Sequence, residues 1–134
     1  MHFGLSQEQD MIVETVRTFV EQEIYPHEEL VEKQGFVPDE IGRDIAQKCK
    51  ELGFFGCNFP EEVGGAGLNH FDFTLVEREL GRGSNALTVF FGRPSGILMA
   101  CEGEQREKYL LPAVSGEKFD ALALTEPGAG SDVR

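Results

Sequence analysis

Apolar residues recur at helical spacing in the first part of the chain, directly after a helix-start signal. Ser6 and Gln9 have the spacing of a capping box, in which each side chain satisfies a free backbone amide of the first turn. The apolar stripe that follows consists of Ile12, Val16, Phe19 and Val20. The pattern predicts a helix that Pro26 prevents from extending much further.

A second helix is predicted from Pro38, because proline suits a first helical turn and the acids that follow it suit the positive end of the helix dipole. Its apolar stripe consists of Ile41, Ile45, Cys49 and Leu52, and Gly53 is placed to end it. Residues 28–36 between the two helices are compatible with a short helix.

The stretch from Gly53 to Asn69 is rich in Gly and Pro and predicts irregular structure held by phenylalanines. Residues 70–80 fit both strand and helix periods, and Asn69 followed by Asp72 favours a helix.

Three shorter helical segments are predicted next. The first is an apolar helix over 85–91, with Ser84 as its cap. Pro94 interrupts it, 97–101 resumes it, and a charged helix runs from Gly103 to Pro112.

Only residues 119–127 have a convincing strand pattern, and nothing after them could pair with it. The fold class predicted is therefore all-α: a helical bundle over 1–120, followed at 121–134 by the first strand of a β-domain that is missing. We expect the chain to be the N-terminal portion of a longer protein.

The chain's size and charge exclude several functions. Its 134 residues suffice for one domain, and its net charge of −12 disfavours nucleic acid or an anionic membrane surface as a partner. No apolar run could span a bilayer, and no targeting leader is evident, so a cytoplasmic protein is expected. The three cysteines suit neither a disulfide framework nor a metal site.

Most candidate motifs have an ordinary structural explanation. Residues 81–86 match a dinucleotide-binding pattern, with Glu102 at a suitable distance, but helices flank them where strands are needed. His27 and Glu28 lack the second histidine of a metalloprotease helix. His70 and the pair Glu61–Glu62 have no sign of an enclosed site, so no catalytic or metal-binding residue is predicted among them.

The loop 125–131 is a stronger candidate. Gly128 and Gly130 allow positive φ angles, with which backbone amides could converge on an anion. Thr125 and Ser131 add hydroxyl groups on either side. An ordinary glycine-rich turn is the alternative.

Three blocks of the chain, in order, resemble the acyl-CoA dehydrogenase family. They are GFFGCNFPEEVGGAGLNHFDFTLVERELGR at 53–82, GEQREKYLLPAVSGEK at 103–118 and ALTEPGAGSDV at 123–133. The resemblance covers essentially the whole chain. It implies an N-terminal helical domain followed by a β-domain and a helical bundle, with FAD between them and an acyl-CoA thioester against the flavin.

The family's reaction is an α,β-dehydrogenation, in which a carboxylate takes the α-proton and flavin N5 accepts the β-hydride. Electrons then usually pass to an electron-transfer flavoprotein, and family members are usually homotetramers. The resemblance places the catalytic glutamate beyond this chain, so Glu126 is not assigned as the base and the chain alone is expected to be inactive.

Carried over by position, the resemblance assigns FAD contacts to Leu122, Ala123, Leu124, Thr125, Gly128, Gly130 and Ser131. Thr125 would hydrogen-bond the isoalloxazine ring, and Ser131 would also lie near the acyl-CoA substrate. The acyl pocket of the family is lined in part by the element at 85–101, here with Ala86, Leu87, Phe90 and Phe91, for which a plain core role is the alternative. Two other functions stay open: a free-standing helical interaction module, and an acyl-CoA oxidase relative.

Overall fold

A computed structural model describes residues 4–131, which are predominantly helical. The α-helices are α1 (Gln7–Phe19), α2 (Tyr25–Gln34), α3 (Asp39–Glu51), α4 (His70–Leu80), α5 (Asn85–Thr88) and α6 (Leu111–Val114). Three 3-10 segments occupy Glu61–Val63, Val89–Phe91 and Gly96–Ala100. Two π segments occupy Val20–Ile24 and Arg106–Leu110. The all-α prediction is confirmed, and in the part of the chain described here no helix is long and apolar enough to cross a membrane.

Helices α1, α3 and α4 begin where the local signals predict. The Ser6 Oγ accepts a hydrogen bond from the Gln9 amide at 3.2 Å, and the Gln9 side chain accepts one from the Ser6 amide at 3.0 Å. The Asn69 side chain accepts bonds from the amides of Phe71 and Asp72 at 2.9 and 3.0 Å, which confirms helix over strand at 70–80. Side chains that satisfy free first-turn amides fix the starts of α1 and α4, whereas α3 starts after Pro38 with no side-chain capping bond.

The expectation that Pro26 and Pro112 end their helices is wrong. In each case a π segment comes first, and the residue just before the proline bonds five residues back: Tyr25 to Val20, and Leu111 to Arg106. In a regular α-helix the proline ring clashes with the carbonyl four residues earlier. We attribute the tolerance of both prolines to the wider π turn, which displaces that carbonyl.

The largest core cluster lies between α1, α3, α4 and the segment around Phe91. Phe91 is fully buried at its centre, with its ring 5.2 Å from that of Phe19 and 5.9 Å from that of Phe54. Beneath it, the Cys49 thiol donates to the Phe91 carbonyl at 2.8 Å. A smaller cluster joins Phe59 to the C-terminal helical segment, by way of Val63, Leu110 and Val114.

Helix α5 is shorter than predicted, and its start is stabilised differently. The Ser84 side chain makes no capping bond. Instead, the Ser84 amide donates to Glu28 Oε1 of α2 at 2.6 Å, so a carboxylate distant in sequence satisfies this end. After α5 the chain tightens into 3-10 turns, and 96–100 forms another 3-10 turn rather than a resumed α-helix.

The strand predicted at 119–127 is absent from the described residues. Residues 119–125 form neither helix nor strand, and the segment's only β-type pairing is a single bridge between Glu126 and Ala129. A strand needs a partner for its backbone groups, and none is present in the part of the chain described here. Residues 132–134 of the predicted β-domain start lie outside the described residues.

Candidate functional site

The residues predicted to bind FAD lie together on one exposed segment, 122–131. Leu122 and Leu124 are 73% and 52% exposed, although both are large apolar residues. Thr125, Gly128, Gly130 and Ser131 are exposed as well, and so is Ala123. No pocket described in this structure includes these residues.

A tight turn organises the end of this segment. The Glu126 amide donates to the Ala129 carbonyl at 2.8 Å, and the Ala129 amide donates back to the Glu126 carbonyl at 3.1 Å. Pro127 and Gly128 occupy the corner, where the fixed φ of proline suits a tight reversal. The Glu126 carboxylate is exposed, without the enclosure that a catalytic base needs.

The glycines of this turn do not have the conformation expected for an anion-binding nest. Neither Gly128 nor Gly130 has φ in the left-handed region, and a Cβ at either position would meet nothing within 4 Å.

The segment supplies donors suitable for FAD but no cavity. The Thr125 and Ser131 hydroxyls and the backbone amides match the polar edge of a flavin nucleotide in type. A flavin also needs apolar enclosure, and nearly all residues of this segment are exposed to solvent. As it stands, the segment does not fit the cofactor without further structure around it.

Two contacts attach residues 119–120, which lie just before this segment, to the helices. Neither contact is evident from the sequence. The Ser95 amide donates to Asp120 Oδ2 at 3.1 Å. The ring of Phe119 meets that of Phe90 edge to face, with centroids 6.4 Å apart. Together they hold 119–120 beside the turn that follows α5.

The four residues considered for an acyl pocket separate into different environments. Leu87 and Phe91 are fully buried in the core, which confirms the plainer interpretation for those two. Ala86 is exposed. Phe90 is half-buried and lines a surface groove.

The weaker motifs have structural roles or none. Residues 81–84 form the turn between α4 and α5, and 85–86 begin α5, with no strand on either side, so the dinucleotide interpretation is wrong. In the described residues no cluster of His, Cys, Asp or Glu side chains could hold a metal ion, and Glu28 is used to anchor α5. His70 is exposed at the start of α4, and Glu61 and Glu62 are exposed on a 3-10 turn.

Glu79 is the one buried carboxylate in the described part of the chain, and it is not a base. Its oxygens accept hydrogen bonds from Arg17 Nε of α1 at 3.0 Å, which ties α4 to α1, and from Arg78 Nε of α4 itself at 2.9 Å. The hydrogen bonds from Arg17 hold the pKa of Glu79 below its usual value, with Arg78 adding to the effect and burial opposing it. A carboxylate stabilised in its ionised form is a poor proton acceptor.

The cysteines are packed thiols. Burial raises the pKa of Cys57 to about 11 and raises that of Cys49 further. Both are fully buried, and a thiolate is therefore disfavoured at either position at neutral pH.

Comparison with known proteins places this arrangement in a family. Residues 6–117 match the model of the acyl-CoA dehydrogenase N-terminal domain. The chain is 39% identical, over 95% of its length, to a 3-(aryl)acrylate reductase of Clostridium sporogenes, and 37% identical, also over 95%, to subunit CarC of the caffeyl-CoA reductase-Etf complex of Acetobacterium woodii. It spans 34% of the length of each of these two relatives.

A solved structure shows the same helical arrangement. The acyl-CoA dehydrogenase of Bacillus anthracis complexed with FAD matches 96% of this chain with a TM-score of 0.78 at 34% identity, and the chain covers 22% of it. Because the family model spans most of the chain and the helices superpose on those of a dehydrogenase, this chain belongs to the acyl-CoA dehydrogenase N-terminal domain family.

Proposed function

We propose that this chain is the N-terminal part of an FAD-dependent enzyme that dehydrogenates an acyl-CoA thioester between its α and β carbons. The observation that carries the proposal is the family match over residues 6–117, followed four residues later by the exposed segment 122–131, whose sequence resembles the family's flavin loop. A segment with two large exposed leucines is suited to being covered by further protein structure and a cofactor.

In this proposal the helical domain, 1–120, supports the loop, and 121–134 begins the β-domain. FAD, when bound, supplies the redox chemistry. Thr125 donates to the flavin ring, while Ser131 lies near the pyrophosphate and the acyl-CoA. The Asp120–Ser95 bond and the Phe119–Phe90 contact fix where the loop leaves the helices.

The catalytic base is proposed to lie outside this chain. Glu79 is held ionised by arginines, and Glu126 is exposed on the turn. The chain alone is therefore inactive, and activity belongs to a protein with the length of its relatives.

The proposed electron partner is an electron-transfer flavoprotein, and the proposed assembly is a homotetramer in the cytoplasm. The electron-transfer flavoprotein is supported by one relative, which is a subunit of a reductase-Etf complex. The homotetramer and the cytoplasmic location rest on the family resemblance.

A second candidate function is the reverse reaction, reduction of an α,β-unsaturated thioester or acid. It is favoured by the two relatives described above, both of which are named as reductases. The same flavin chemistry can run in either direction, and the redox partner sets which one dominates.

Activity measurements on two proteins test these proposals. The product of the complete reading frame, loaded with FAD, is expected to reduce a dye acceptor when given saturated acyl-CoA. The 134-residue chain with added FAD is expected to show none of this activity. Dye reduction by the short chain would contradict the assignment of the base. If the long protein instead oxidises a reduced dye only when given an unsaturated thioester, the reductase is the correct assignment.

The loop is tested by its flavin retention. In the protein from the complete reading frame, Thr125→Ala combined with Ser131→Ala is expected to weaken FAD binding about tenfold or more, since two hydrogen bonds to the cofactor are lost. Flavin absorbance after gel filtration measures the retention. Ser115→Ala is the matched control, because its exposed hydroxyl bonds only the Pro112 carbonyl. Equal retention in all three proteins would rule out this role for the loop.

A further inference from the structure

A surface groove of about 460 Å³ lies along α3, on the side that faces Phe90 and Phe119. Its volume is within the range of small-molecule sites in proteins. Neither the dinucleotide interpretation nor the proposed flavin loop uses it. Its lining also includes Asp39, Gln47 and Gly116.

Small residues on α3 and two aromatic rings shape the groove. Gly42 packs so closely against Phe90 that a Cβ there would lie 2.5 Å from the ring. Ala46, one turn further along, is also small and is buried. Phe119 is 66% exposed and meets Phe90 edge to face, so the pair offers an apolar aromatic surface to the groove. A planar apolar group can pack against such a pair.

Two cationic side chains of α3, Arg43 and Lys50, line the groove. Arg43 and Lys50 are seven residues apart on α3, which places them on one helix face about 10 Å apart along the axis. Lys50 Nζ donates to the Gly116 carbonyl at 3.3 Å and lies 5.0 Å from the Phe55 ring centroid. Arg43 forms no salt bridge or side-chain hydrogen bond with any described residue, so its guanidinium keeps all of its donors.

Six of the eleven described cations form salt bridges: Arg17, Lys33, Lys48, Arg78, Arg82 and Arg93. Arg43 and Lys50 belong to the five that form none. Asp39 lies in the same groove, one turn from Arg43, yet no described carboxylate comes within 4 Å of either groove cation. The lining of the groove thus carries two positive charges, Arg43 and Lys50, and one negative charge, Asp39.

We propose that this groove binds a small aromatic carboxylate. The ring of the ligand packs on Phe90 and Phe119, and its carboxylate is paired with the Arg43 guanidinium, whose planar fork suits bidentate contact. Lys50 adds a second favourable charge at longer range. The site shares the Phe90–Phe119 contact with the support of the proposed flavin loop, but its ligand binding does not require FAD.

Titration of the 134-residue chain with 3-phenylpropanoate, followed by isothermal calorimetry and by amide NMR shifts, tests the proposal. Binding is expected with shifts centred on 42–50, 90 and 116–119. The neutral isostere 3-phenylpropanamide is expected to bind about tenfold more weakly, because it lacks the charge that pairs with Arg43. Equal binding of the two probes would overturn the proposed recognition of an anion.

Two variants locate the site, and a third is the control. Arg43→Gln is expected to weaken 3-phenylpropanoate binding about tenfold and to leave the amide unchanged. Phe119→Ala, at a largely exposed position, is expected to weaken both probes severalfold through lost packing on the ring. Arg106→Gln removes a cation that also forms no salt bridge but lies outside the groove, and it should change neither affinity.

The remaining outcomes count against the site. Equal weakening by Arg43→Gln and Arg106→Gln would mean that only the overall charge matters. Shifts centred on another part of the chain would place the ligand elsewhere. No binding of 3-phenylpropanoate at millimolar concentration, with the NMR spectrum of a folded chain, would also overturn the proposal.

Discussion

Phe91→Ala is expected to lower the free energy of unfolding by about 3–5 kcal/mol, one of the largest losses available to a single substitution in this chain. Phe91 is fully buried, and its ring contacts those of Phe19 and Phe54, so truncation removes aromatic contacts between three separate segments. The cavity that remains is surrounded by packed side chains and can collapse only in part. Urea unfolding followed by circular dichroism measures the change.

Two further variants make that measurement decisive. Phe36→Ala, at a position that is 61% exposed, should change the stability by no more than about 0.5 kcal/mol. If Phe91→Ala does not fold, Phe91→Leu provides a milder test, with an expected loss of about 1–2 kcal/mol. Similar midpoints for Phe91→Ala and Phe36→Ala would show that the cluster is not the stabilising core.

Gly92→Ala is expected to destabilise the chain by about 3 kcal/mol, from two separate causes. Gly92 has φ of 79°, in the left-handed region that costs a residue with a side chain about 1–2 kcal/mol. A Cβ there would also lie 2.0 Å from the Phe55 ring, which is nearly buried and has little room to move. Thermal and urea unfolding measure the total.

Gly35→Ala separates the two causes. Gly35 has φ of 76° at the end of α2, but a Cβ there would meet nothing within 4 Å. It should therefore show only the backbone cost, about 1–2 kcal/mol. Combining Gly92→Ala with Phe55→Leu should recover part of the loss, because the smaller side chain relieves the overlap. Equal effects of Gly92→Ala and Gly35→Ala would mean that the Phe55 overlap is not real.

The parts of the fold predicted correctly are those that local chemistry decides. The capping box at Ser6 and the cap at Asn69 each involve residues within one turn, so the sequence alone contains both partners. Gly53 likewise follows α3 with φ of 74°, as its position predicted. These signals fix where helices begin and end.

The features that were missed depend on residues distant in sequence. The amide of Ser84 is satisfied by Glu28, 56 positions earlier, and no local pattern indicates that pairing. The groove combines α3 with Phe90 and Phe119, which come together only through tertiary packing. The sequence favoured a core position for Phe91 over a place in a pocket. It did not indicate that Phe91 lies at the centre of the largest core cluster.

For the loop at 122–131, the sequence was informative about the family but not about the conformation. Its sequence contributed to recognising the family together with the blocks at 53–82 and 103–118, and taken alone it was equally compatible with an ordinary glycine-rich turn. Its conformation could not be predicted, since it is held only by the local hydrogen bonds between Glu126 and Ala129 and no other segment packs within 4 Å of a Cβ placed at either glycine. A predicted strand over 119–127 likewise needs a neighbour that local pattern cannot supply.

The pairing of each π turn with a proline has a consequence for how sequences of this family can change in length. A π turn holds one residue more than an α turn. The loss of one residue from Val20–Ile24 would therefore restore a regular α-helix. The helix faces before and after the deletion would stay aligned. Pro26 would then stand in a regular helix interior, at a cost of about 3 kcal/mol. Aligned sequences that are one residue shorter at this point should therefore carry another residue in place of Pro26. The same coupling should link a gap within Arg106–Leu110 to the loss of Pro112.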